Sequence, residues 1–102
     1  MSYAEIEKKL ARLKGVEQST LMKTQCLRYN GDFFAMELGK VNGLVIKVSP
    51  ERVDDLIASG IGQAFNFTKK KFKEWVVIPA KFENQYEAFA REAMEYVKQK
   101  QR

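Results

Sequence analysis

Asn30-Gly31-Asp32 lies between two segments of strand composition, Cys26 to Tyr29 and Phe33 to Leu38. Asn and Gly tolerate positive φ, the condition for the tight turns that let one strand reverse and pair with the next. The chain is therefore expected to form a hairpin here. Gly39-Lys40-Val41-Asn42-Gly43 is a second turn signal. Leu44 to Val48 then alternates, with Leu44, Ile46 and Val48 on one face and Val45 and Lys47 on the other. Three strands joined by two short turns predict an antiparallel meander. Phe33 and Phe34, being adjacent, are expected on opposite faces of their strand.

Helical periodicity flanks this meander. Ser2 followed by Glu5 reads as a capping box. Tyr3, Ile6, Leu10 and Leu13 recur at helical spacing, and Lys14 and Gly15 supply stop signals, so a helix is expected over residues 3–14. Residues 16–25 show no strong period and read as a connection into the first strand. Ser49, Pro50 and Glu51 open a second helix, with Val53, Leu56 and Ile57 as its inner stripe and Gly60 as its end. Phe65 to Phe67 and Trp75 to Ile78 read as two further short strands. A third helix is expected over residues 82–99, where Tyr86, Phe89, Ala90, Ala93 and Val97 make a wide apolar stripe. The order is α-β(3)-α-β(2)-α. It predicts an α+β fold of two layers, a five-stranded antiparallel sheet covered on one face by the first and third helices. No repeat, low-complexity tract or linker interrupts the chain, so residues 1–102 are read as a single domain.

Composition narrows the chemistry. The 102 residues include no histidine, which removes the usual general base near neutral pH and the commonest metal ligand. Cys26 is the sole cysteine, so neither an internal disulfide, a thiolate zinc site nor a CxxC redox pair can be built. A lone cysteine in a strand reads as a small apolar filler. Asp54 with Asp55, and Glu92 with Glu95, read as solvated helix surface, and Gly60-Ile61-Gly62 as a helix stop and turn. No catalytic residue, cofactor site or metal site is expected. The charged N-terminus is unlike a secretory signal, and no apolar run approaches the roughly 20 residues of a membrane span. A cytoplasmic protein without a membrane partner is the expectation.

Two groups of residues are candidates for contact with other molecules. Lys69, Lys70, Lys71 and Lys73 surround Phe72 in the connection between the last two strands. With a net charge of +5, this basic edge suits a phosphate backbone, Phe72 stacking on a base. Lysines give point charges, which suit non-specific nucleic-acid contact. Phe33, Phe34 and Trp75 form the second group, a candidate partner face: one of the two phenylalanines is expected to point away from the core, and an aromatic exposed on that second sheet face would mark a dimer or partner surface.

Four segments in order resemble the TfoX/Sxy N-terminal domain family. They are Tyr29-Asn30-Gly31-Asp32-Phe33-Phe34-Ala35, Leu44-Val45-Ile46-Lys47-Val48, Ala58-Ser59-Gly60 through Phe65-Asn66-Phe67, and Phe72-Lys73-Glu74-Trp75-Val76-Val77-Ile78-Pro79. The chain departs from the family at Leu21-Met22-Lys23-Thr24, where Met-Phe-Gly-Gly is common. The resemblance implies a secretion-chaperone-like fold, no catalytic activity, and a regulatory role related to bacterial competence. The expected function is thus a non-enzymatic protein–protein interaction module, monomeric or homodimeric, connected by the resemblance to transcription regulation. The alternative is a small nucleic-acid-binding protein working through Lys69 to Lys73.

Overall fold

The computed structural model describes residues 3–21, 24–38, 43–65 and 73–101. The chain opens with helix α1 (Tyr3–Leu10) and continues into four strands, β1 (Val16–Leu21), β2 (Thr24–Tyr29), β3 (Asp32–Leu38) and β4 (Gly43–Lys47). Helix α2 (Pro50–Ala58) leads to β5 (Gln63–Ala64) and β6 (Trp75–Pro79). A 3-10 segment, Ala80–Gln85, turns the chain into α3 (Tyr86–Lys100). The strands form one six-stranded antiparallel sheet in the order β1-β2-β3-β4-β6-β5.

The Asn30-Gly31 reversal forms as its composition requires. Tyr29 and Asp32 pair across it, and the two turn residues take φ of 46° and 92°. One irregularity follows. Leu27 faces Ala35 but Arg28 faces Phe33, so Phe34 is an extra residue in β3, a β-bulge. The bulge changes the strict alternation. Phe33 points to the outer face, whereas Phe34 and Ala35 both join the core on the helix side.

That inner core draws on every helix. Ile6 and Leu10 of α1, Val53 and Leu56 of α2, and Tyr86, Phe89, Ala90, Ala93, Met94 and Val97 of α3 close over Leu27, Phe34, Leu44, Ile46, Val76 and Ile78 of the sheet. A second, smaller cluster sits on the opposite face: Cys26, Phe33, Met36, Val45, Val77 and Phe65. Among the described residues no helix contributes to it. β4 is therefore apolar on both sides, as its composition (Leu44, Val45, Ile46) demands. Arg52 fastens α2 to α3. Its Nε donates to Glu92 Oε2 at 2.7 Å and its Nη2 to Glu92 Oε1 at 3.2 Å.

The α+β class and the antiparallel sheet match the sequence reading, and several boundaries differ. The sheet has six strands instead of five, because residues 16–21 form β1 rather than a connection. The order is accordingly α-β(4)-α-β(2)-α. Helix α1 ends at Leu10, not residue 14. Leu13 still packs against the inner core, but from a turn in which its amide donates to Leu10 O at 2.9 Å. Gly15, with φ of 87°, then sends the chain back along the sheet. Ile57 is 39% exposed and lies off the inner stripe, which consists of Val53 and Leu56. The third helix becomes α-helical only at Tyr86. The strand expected at Phe65–Phe67 lies earlier, at Gln63–Ala64, and Phe65 follows it outside any strand. Ser2, Asn66 and Phe67 lie outside the described residues, and the capping box with them.

Candidate functional site

The residues singled out by sequence do not form one site. Lys69, Lys70, Lys71 and Phe72 lie outside the described residues. Lys73, the last of the basic group, is exposed in the turn before β6. Its neighbour Glu74 is tied to α3, accepting from Lys100 Nζ at 2.8 Å and from the Tyr96 hydroxyl. Burial opposes ionisation of Glu74. The hydrogen bonds from Lys100 and Tyr96, with the Lys100 and Lys47 charges, outweigh it and hold the carboxyl below its ordinary range.

The aromatic candidates divide between the two faces. Phe34 is fully buried in the inner core, on the helix side, so it offers no surface. Strand alternation is the reason, since its neighbour Phe33 faces outward. Phe33 and Trp75 do share the outer face, with ring centroids 4.8 Å apart. Phe65 meets Trp75 edge-on at 5.1 Å. These three rings make a packed cluster in which Phe33 and Phe65 are buried and Trp75 is half-buried. Most of the expected partner face is therefore core.

Cys26 belongs to the same cluster and is fully buried. Burial pushes its thiol up, which keeps it protonated and unreactive, although Arg28 pulls in the other direction. Asp55 and Glu92 share one cation, Arg52; the Glu92 pair joins α3 to α2, and the Asp55 pair lies within α2. Among the described residues no three His, Cys, Asp or Glu side chains converge on a common point. No helix among them is long and apolar enough to cross a membrane.

The feature that sequence reading missed is the sheet's edge. A six-stranded order has two edges, β1 and β5. Among the described residues β5 is two residues long, and shortness is itself a protection against unwanted pairing. β1 runs for six residues, Val16-Glu17-Gln18-Ser19-Thr20-Leu21, with no lysine, proline or bulge to blunt it. Its one charge is turned along the sheet, since Glu17 Oε1 accepts from the Gly31 amide at 3.0 Å. Arg28 donates to the carbonyls of Thr20 and Gly31, each at 3.2 Å. The strand's other neighbour position is open among the described residues. Signals for β1 did exist in the sequence. Val16 and Leu21 are apolar ends of a short polar strand, and the register places Val16 against Tyr29 and Leu21 against Thr24.

No family matches the chain, and no curated protein matches it in sequence. The likeness to the TfoX/Sxy N-terminal domain rests on the four segments quoted above.

Proposed function

We propose that the protein is a non-enzymatic protein–protein interaction module that accepts an extended partner strand along β1. The observation that supports this reading is the asymmetry of the sheet edges, one cut to two residues and the other left six residues long and unblunted. Main-chain hydrogen bonds to an added strand would supply affinity, as in other strand-addition complexes. The chemistry of the chain agrees, because it has no histidine and its one thiol is buried. The TfoX/Sxy resemblance supports a regulatory setting for such an interaction. A nucleic-acid role through Lys69 to Lys73 is the competing reading, supported by the +5 charge and the exposure of Lys73.

Photocrosslinking distinguishes them. A photoreactive side chain at Thr20, exposed on β1, is expected to capture one protein that the same group at Asp54, exposed on α2, does not capture. The captured protein, once purified, should lose at least about tenfold affinity for a Gln18→Lys variant, in which a charge blunts the edge. Equal capture from both positions, or affinity unchanged by Gln18→Lys, contradicts the proposal. Short DNA bound at near-physiological salt, and released by Lys69→Gln, Lys70→Gln and Lys71→Gln together, would favour the competing reading.

A further inference from the structure

Beside β1 lies a polar cleft of about 230 Å³, lined by Glu7, Gln18, Ser19, Thr20 and Gln25. Three of these residues belong to the edge strand itself. Strand alternation puts Gln18 and Thr20 on the side of Val16, which packs towards the helices, and Gln25 stands opposite Thr20. Glu7 comes from the inward face of α1, in the same stripe as Tyr3, Ile6 and Leu10.

Glu7 is the unusual member. It is 8% exposed, the one buried charged residue among the described residues, and its Oε2 has no hydrogen-bond partner. The Tyr3 hydroxyl, one helical turn away, is likewise buried without a partner. Burial first, and the nearby Glu7 carboxylate second, push this phenol's ionisation well upward, so it stays an O–H donor. The Glu7 carboxylate is the acceptor that this hydroxyl faces. One donor does not complete a carboxylate, which offers about four acceptor positions. A buried charge short of donors is costly, and the ordinary remedy is a cation with hydrogen bonds.

The size of the cleft limits what that cation is. Small-molecule sites occupy roughly 300–1,000 Å³, so this one suits a group of side-chain size rather than a cofactor. Its position on the edge matters equally. In strand addition, alternate side chains of the added strand enter pockets beside the edge and set specificity. The chemistry matches an ammonium group. It has three donors, enough for Glu7 and for two of the three neutral acceptors, the Thr20 hydroxyl and the amide oxygens of Gln18 and Gln25.

We infer that the strand added to β1 carries a lysine whose ammonium group enters the Glu7 cleft, which makes this cleft the specificity pocket of the interaction. The inference rests on β1 being the docking edge. Two probes separate the failure of one from the failure of the other. n-Butylammonium reads the cleft alone. In nitrogen-15 NMR spectra it should shift the side-chain amides of Gln18 and Gln25, and Glu7→Gln should abolish the effect. No shift overturns the inference whatever happens at β1. Three eight-residue Thr/Val peptides, acetylated and amidated, differ only in a central Lys, Gln or Glu. Each should perturb the Val16–Leu21 amides, and the Lys peptide should bind at least about tenfold more tightly than the Gln peptide. Equal binding of the three at β1 overturns the lysine pocket and leaves the edge standing. Peptides that leave β1 unperturbed while n-butylammonium still shifts the cleft refute the edge, and with it the inferred strand lysine. Gln25→Lys supplies a second variant. The residue is exposed, so folding is not at stake, and its own ammonium should cancel the Lys preference.

Discussion

Two glycines show how differently one residue type is used here. Gly31 has φ of 92° and nothing within 4 Å of where a Cβ would sit, so its requirement is conformational. Gly31→Ala is expected to cost about 1–2 kcal/mol in urea unfolding, the usual left-handed penalty, and Gly31→Asn less. At Gly43 the obstacle is steric. A Cβ there would lie 2.7 Å from the Ile78 carbonyl, which β4–β6 pairing holds in place. The turn role of Gly31 was legible because Asn-Gly between strands has few other uses. The fit of Gly43 was not, since the approach of β6 depends on a partner far along the chain. Phe34 makes the same point. Alternation placed it correctly opposite Phe33, but no local signal marked the bulge that sends Ala35 to the helix side as well. Phe34→Ala should cost about 3–5 kcal/mol, as a core truncation does, in place of the modest loss expected of an exposed partner contact. Glu37 carries a charge that the fold opposes. Burial, then the nearby Glu83, raise its pKa. The folded form therefore holds its proton to higher pH than the unfolded chain, and stability falls as pH rises through that interval. Glu37→Gln is expected to raise the melting temperature at neutral pH and to leave it little changed at acid pH.

β1 escaped the sequence reading for a physical reason. An edge strand has one neighbour, so Val16-Glu17-Gln18-Ser19-Thr20-Leu21 carries little apolar material and no period stands out. The central strands β3 and β4 are buried on both faces, and their composition announced them. The end of α1 was misplaced because Leu13 keeps the helical spacing and also reaches the core from a turn. Glu7 stands four positions after Tyr3 on the buried stripe of α1, where a charged residue gives no composition signal of burial. The join between the turn before β6 and α3 gives an acid-side test. Glu74 is depressed below its unfolded value of 4.5, so its contribution is complete above that pH and is lost as pH falls through the folded pKa. Glu74→Gln should flatten the acid limb of the stability curve measured by thermal melts. Wild type and variant losing stability in parallel below pH 4.5 would remove Glu74 from the acid response.

The sheet carries a core on each face, and its middle strands serve both. Ala35 and Met36 of β3, like Ile46 and Val45 of β4, divide between the two clusters one residue at a time. The two clusters cannot separate without breaking the same strands. Thermal unfolding is therefore expected to be two-state, with Trp75 fluorescence, which reports the outer cluster, coinciding with far-ultraviolet circular dichroism, which reports the helices. An earlier fluorescence transition would show the outer cluster melting by itself. The class of this architecture was readable from the order of its elements, and the edge position of β1 was not. An edge is defined by which strand lacks a neighbour, and that depends on the whole pairing order. Amide hydrogen exchange tests the proposed docking edge most directly, in the free protein and with a protein captured through Thr20. The Val16–Leu21 amides should exchange at least about tenfold more slowly in the complex, with α2 unchanged. Protection that falls on α2 or α3 and leaves β1 exchanging at its free rate would contradict strand addition at this edge.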